Sequence, residues 1–316
     1  MIRCFYIEGN ELYWEKTLNL PELSDTKKII WIDLQSPLKE EEKQVEDFFH
    51  VEFFTPQEAA EIESSSRYLE DLHTIEANSG FVVYEDPSYN TKQVSFILKD
   101  DVLFTLRRGD FKSFAATVRK LKIVEPENIT GLQIWLFLLE SQIDLDADFI
   151  EYISRSTNLA SKKLTEKKSL AEEILIQITN LQENTILIRE SIVDKQRLVS
   201  SLLKSRVVSE IDKERIRIII KDISSLIQHT QFSFERLEYL QNTFLGLLNI
   251  EQNQVIKIFT VATVAFMPPT LIASIYGMNF QYMPELNWRA GYPFAILLMI
   301  MSSAGFLWYF KRQKWL

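Results

Sequence analysis

The chain has 316 residues, 46% hydrophobic and 25% charged, with a formal net charge of −9. That length fits one large domain with an appendage or two domains, and the acidic balance argues against a nucleic-acid partner. The single cysteine, Cys4, excludes an internal disulfide framework and suits a reducing cytoplasm.

The acidity is uneven. Residues 1–150 hold 29 acidic and 15 basic residues, an excess of roughly −14, whereas the stretch to Gln254 is nearly balanced and Lys311-Arg312-Gln313-Lys314 is basic. Met1 to Asn10 carries Arg3 and Glu8 and no apolar run, so no signal peptide is expected. Strands are predicted at Lys28 to Leu34, Gly80 to Tyr84, Gln93 to Leu98 and Asp101 to Arg107, runs rich in β-branched and aromatic residues. Glu85 to Thr91 is the predicted turn. A helix is predicted from Ser36 to His50, with Ser36 as cap, Pro37 at the first helical position and Glu40 to Glu42 in the first turn. Residues 1–130 therefore read as a cytoplasmic α/β domain. They contain no glycine-rich phosphate loop, no Gly-x-Ser-x-Gly and no Cys/His pair, and His50, His73 and His229 stand far apart in the chain. No catalytic constellation is present, and the chain does not read as an enzyme.

From Leu132 to Leu245 there is neither glycine nor proline, the usual breakers, so long helices are expected. Leu132 to Ile153 reads as a buried helix of the soluble part, because its second half carries Glu140, Asp144, Asp146 and Asp148. Leu170 to Leu203 and Ile211 to Asn253 place apolar residues at three- and four-residue steps, an amphipathic stripe. Val207 to Asp212 is the predicted turn between them. With no stop signal after it, the second helix is expected to run from about Ile211 to about Tyr276, about 100 Å at 1.5 Å per residue. Residues 131–254 form the predicted cytoplasmic stalk.

Two spans follow, at 255–276 and 291–310, each near the roughly 20 apolar residues that cross a bilayer. A polar loop, 277–290, joins them, and 311–316 form a basic tail that marks its side as cytoplasmic. The second span is lipid-like and ends in an aromatic belt at Trp308, Tyr309 and Trp315. The first carries a stripe. Asn253, Ile256, Thr260, Thr263, Met267, Thr270, Ser274 and Gly277 follow steps of three or four and share one face. Such a stripe either packs against another helix through small hydroxyls or lines a pore among identical copies. Two spans per chain enclose a conduit only as an oligomer, and the second span shows no matching polar face. Pro268-Pro269 removes backbone donors mid-span and should bend or loosen the helix.

Tyr276-Gly277-Met278-Asn279-Phe280, followed by Met283-Pro284-Glu285-Leu286, resembles the signature of the CorA family of magnesium channels. Asn253-x-x-Ile256-Lys257, Thr260, Phe266-Met267-Pro268 and the tail Lys311 to Leu316 are similar to the same family. Trp31 to Leu34 and Gln93 to Leu98 resemble its strands. The resemblance implies an α+β cytoplasmic domain with very long helices, followed by two C-terminal transmembrane helices, in a funnel-shaped homopentamer. It implies a filter at Gly277, Met278 and Asn279, and a pore lined by Asn253, Ile256, Phe259, Thr260, Thr263, Met267, Thr270 and Ser274. Ile256, Phe259 and Met267 match an apolar constriction. Ser274, Ile256 and Phe259 depart from the glycine, methionine and leucine that relatives can carry. It further implies regulation by cytoplasmic Mg²⁺ at acidic residues, with Glu70, Asp71, Glu140 and Asp222 in roughly similar segments. Mg²⁺ would be both substrate and regulator, with Co²⁺ or Ni²⁺ as other cargo, the lipid bilayer as surroundings and no organic cofactor. The motif also occurs in the related ZntB type, whose cargo is Zn²⁺. A membrane-anchored helical scaffold or receptor is the alternative of another class.

Overall fold

The computed structural model describes residues 1–16, 27–55, 58, 67–85, 88–126, 129–166, 171–279 and 281–315. The chain divides into two compact units, Met1–Leu240 and Gln241–Leu316.

The first unit is built on a seven-stranded sheet in the order β2-β1-β3-β7-β6-β5-β4. The strands are β1 (Ile2–Glu8), β2 (Glu11–Glu15), β3 (Lys28–Gln35), β4 (Tyr68–Glu70), β5 (Thr74–Glu85), β6 (Ser88–Lys99) and β7 (Val102–Arg107). Among the described strands only the β3–β7 pair is parallel. It lies at the centre, which explains why β3 reads as an unbroken apolar run: both of its faces are covered. On one face Cys4, Ile32, Leu34, Phe104 and Leu106 pack with Val45 of α1 (Lys39–Phe49). On the other, Trp31 meets Phe114 of α2 (Lys112–Leu121), and Phe96 stacks on Trp135 of α3 (Gly131–Glu166) at 5.2 Å. These alternate residues follow the two-residue period of a strand.

Two further helices complete this unit, α4 (Ala171–Lys204) and the first part of α5 (Glu210–Tyr276). Gly131, at the start of α3, has no room for a side chain, since a Cβ there would lie 2.4 Å from the Asp101 carbonyl oxygen. The α4–β5 contact is polar. Ser191 Oγ donates to the Gly80 carbonyl at 2.6 Å, and Gly80 N donates to Asp194 at 3.0 Å. Behind them lies a fully buried ion pair, Lys195–Asp146, at 3.0 Å.

Several local expectations need correction. The cap of α1 is Leu38, and Ser36 sits before the helix with φ 43°. The first turn is held by Glu41, whose carboxylate accepts from Leu38 N at 2.9 Å. The hairpin between β5 and β6 is tighter than Glu85 to Thr91, because Glu85 already pairs with Ser88 and Tyr84 with Tyr89. Tyr89 is buried against Phe149 at 5.0 Å, and that packing overrides the turn tendency of Ser88 and Asn90. Residues 86–87 of that turn lie outside the described residues, as do Leu170, Phe280 and Leu316. Strands β1, β2 and β4 went unforeseen. The long helices lie where expected, but α3 runs past its predicted end at Ile153 to Glu166, and α5 continues for 67 residues with Pro268 and Pro269 inside it, so the proline pair does not end the helix.

Candidate functional site

Among the described residues, two helices are long and apolar enough to cross a membrane. Their most apolar windows, within α5 and α6 (Gly291–Arg312), have mean hydropathies of 1.8 and 1.7, yet only 11% and 6% of those windows is buried in the chain. Apolar surface left open on this scale needs lipid or further protein to cover it.

Within Gln241–Leu316 the two helices touch along one face of α5. Val261 and Ala265 are buried there, and Lys257, Val264, Pro268, Ile272 and Tyr276 are half-buried. From α6, Ala295 is buried and Met299, Ser302, Ser303 and Phe310 are half-buried. Ser303 Oγ donates to the Ala265 carbonyl at 2.8 Å. The sequence reading assigned no polar spot to the second span and missed this one. Its visible signal is the Ser-Ser pair inside an otherwise apolar run.

The predicted stripe lies elsewhere. Asn253, Ile256, Phe259, Thr260, Thr263, Met267, Thr270, Ser274, Gly277, Met278 and Asn279 are all exposed in the single chain. At 3.6 residues per turn, the centre of the stripe up to Gly277 lies about 150° around the helix from the centre of the face covered by α6. Ile256, Phe259 and Met267 stand 56%, 68% and 61% exposed, so the α5–α6 pair leaves its largest apolar residues on this side unpartnered. The threonine hydroxyls are tied to their own helix. Thr260 donates to Ile256 O at 2.8 Å, Thr263 to Phe259 O at 2.9 Å and Thr270 to Phe266 O at 2.8 Å.

The far end of α5 closes on its own backbone, with Gly277 N donating to Ala273 O at 2.9 Å and Met278 N to Ile275 O at 3.2 Å. A Cβ at Gly277 would lie 3.0 Å from the Ala273 carbonyl oxygen, so a side chain there would crowd the last turn. Asn279 follows beyond the helix end and is exposed. A short 3₁₀ turn, Pro284–Asn287, and a Trp288–Phe294 contact at 5.7 Å lead into α6. At the opposite end Lys257 Nζ donates to Lys314 O at 3.2 Å, and Trp315 stacks on Phe310 at 5.6 Å.

The acidic residues of the first unit do not converge. Glu70 accepts from Ser205 Oγ at 2.9 Å and Arg206 N at 3.1 Å, and with Asp71 it borders a cleft of about 580 Å³ that Lys204 and Arg206 also line. Glu140 is bound by Arg215 through two contacts of 2.7 Å. Asp222 is exposed on α5. Among the described residues no group of three or more His, Cys, Asp or Glu side chains is placed to hold a metal ion.

A family model described as CorA-like Mg2+ transporter protein matches residues 26–312. The chain belongs to the CorA family. A CorA magnesium transport protein from Wolinella succinogenes is 40% identical, with 92% of each chain covered. Another, from Campylobacter jejuni, is 36% identical over 100% of both. The solved structure of the CorA magnesium transporter from Methanocaldococcus jannaschii aligns with 100% of this chain and 99% of that one, with a TM-score of 0.84 at 20% identity, a likeness of fold. CorA proteins are a family of transporters, not enzymes, and the α+β part, the long helices and the two C-terminal apolar helices of this chain have the CorA architecture.

Proposed function

We propose that the chain is one subunit of a homopentameric Mg²⁺ channel of an inner or plasma membrane, with both termini cytoplasmic. The carrying observation is the exposed stripe from Asn253 to Asn279, turned away from the second apolar helix, α6. Hydroxyl and amide groups facing lipid would be unfavourable, and copies of the same stripe around a water-filled axis would solvate them. Each subunit would contribute the helix 255–276 to the pore, with 291–310 outside it against lipid, 277–290 at the outer mouth, and 1–130 with 131–254 in the cytoplasm. The basic tail supports that orientation.

Asn279 would offer neutral oxygens to the waters of an incoming ion. Mg²⁺ gives up water reluctantly, so recognition through the hydration shell avoids dehydration, and a neutral amide ring holds the ion loosely enough to pass it on. Thr270 and Ser274 continue the polar path. Met267, Phe259 and Ile256 form an apolar constriction able to gate by dewetting, above the Asn253 ring. An inside-negative potential supplies about 2.3 kcal/mol per charge per 100 mV, twice that for a divalent ion, so uptake requires no ATP. Co²⁺ and Ni²⁺ would be further cargo. Cytoplasmic Mg²⁺ bound between subunits at acidic residues would hold the closed state. Glu70, Asp71, Glu140 and Asp222 are the candidates, and the Arg215 pairing of Glu140 makes it the least available.

Influx into liposomes, read by ion-sensitive fluorescence, tests this. Wild-type protein should admit Mg²⁺, and Asn279→Ala should reduce that influx by an order of magnitude or more. No Mg²⁺ influx in wild type, or undiminished influx in the variant, would overturn the reading. Influx of Zn²⁺ in place of Mg²⁺ would favour the ZntB type, and folded protein passing neither ion would favour the scaffold.

A further inference from the structure

Pro269 is the second of two adjacent prolines within the apolar last third of α5. In an α-helix the N–H of a residue bonds the carbonyl four residues earlier, so proline at 269 leaves the Ala265 carbonyl without its intrahelical donor. At membrane depth no water is at hand to replace it, and a freed backbone group must find a partner in protein. Ala265 is buried on the α6-facing side, and there Ser303 Oγ donates to its oxygen at 2.8 Å. Pro268 frees the Val264 carbonyl in the same way, but no α6 side chain donates to that oxygen among the described residues. Among the described residues, the hydrogen bond that the two helices share is thus placed at the defect that Pro269 creates.

We propose that Ser303 is a positioning residue for the pore. Its hydroxyl takes the place of the missing amide and fixes the rotation and height of α5 at the turn carrying Met267 and Thr270. The connection is short. Ala265 lies two residues before Met267 and five before Thr270, within one and a half turns, while both of those side chains point to the exposed side. The second span, which contributes nothing to the stripe, would thereby set the geometry of the stripe at its midpoint. The functional half of this inference rests on the channel reading above. The Ser303–Pro269 linkage does not.

A double-mutant cycle tests both halves, with Ser303→Ala, Pro269→Ala and the pair compared with wild type. Influx is measured in liposomes per folded, inserted protein, and thermal melting is followed in mild detergent. Interhelical hydrogen bonds in membranes are modest, so Ser303→Ala alone should change Mg²⁺ influx about threefold to tenfold. Ser303→Thr, which keeps the hydroxyl, should restore it. In the Pro269→Ala background the new amide serves the Ala265 carbonyl, and Ser303→Ala should change influx less than about twofold. Equal effects in the two backgrounds, or failure of Ser303→Thr to restore influx, would overturn the proposal. If wild type admits no ion, the channel reading fails by itself, and melting decides the linkage: coupling between the two substitutions supports it, and additivity refutes it.

Discussion

Cys4 occupies β1 with its side chain in the layer between sheet and α1, fully buried. Burial pushes its thiol up to about 12, reinforced by the nearby Glu15 and only partly offset by Lys27. The reactive form is the thiolate, so at pH 7 to 8 this thiol is both protonated and shielded. Maleimide labelling of the folded protein should therefore be negligible and should become complete on denaturation. Rapid labelling of the folded protein would contradict the packing of β1. On the opposite face of the same sheet, Asp33 is held by Arg107 at 3.0 and 3.1 Å, by Arg3 at 3.0 Å and by Thr105 at 3.0 Å, all without exposure of Asp33 or Arg107. The sequence pattern shows Asp33 only as a charge inside an apolar strand. Its partner lies 74 residues away, and alternation along one strand carries no information about a strand that pairs with it from that distance. Ser303 was hidden for the same reason, its acceptor being a backbone atom 38 residues earlier.

Among the elements, α4 meets β5 through polar contacts from Ser191, Asp194 and Lys195. Lys195 and Asp146 are both fully buried, and their attraction offsets a large desolvation cost for each. Lys195→Met leaves the Asp146 carboxylate uncompensated and should lower stability by about 3–5 kcal/mol, whereas Lys195→Met combined with Asp146→Leu should recover most of that loss. Melting curves of the three proteins in detergent check this, and a double variant no better than the single one would refute it. The long helices were the most legible elements. Helix α5 has one isolated glycine, Gly246, and two prolines over 67 residues, and its charges and apolar residues keep a helical period throughout. The β5–β6 hairpin was read too loosely because local turn chemistry at Ser88 and Asn90 points one way and the burial of Tyr89 points the other. Only the second is a tertiary effect, and it prevailed.

For the whole molecule, family membership rests on residues 26–312, nearly the full chain, and the part most legible by eye was its last fifth, from Asn253 onward. The stripe was legible because it is a property of one helix. The ring it implies is a property of several chains and leaves its trace in one chain only as unpartnered surface. That trace can be probed through a single introduced thiol, since the native cysteine is buried. Thr270→Cys in membranes should give, with a short bis-maleimide, a ladder of covalent species ending at the pentamer. Ala304→Cys, exposed on α6, should give little. A ladder confined to dimers, or equal cross-linking at both positions, would count against a stripe that faces a common axis.

The hydroxyls of Thr260, Thr263 and Thr270 bear on the sign of the ion. Each is bonded to a carbonyl, and a carbonyl can only accept, so the hydroxyl hydrogen is turned into the helix and the oxygen lone pairs are turned out. A wall of such rotors is an array of acceptors without formal charge. The waters around a cation direct their hydrogens outward and meet it well, whereas the waters around an anion spend hydrogens on the anion and meet it poorly. Preference for cations along this stretch would then have no titrating group behind it and would persist unchanged from acid to alkaline solution.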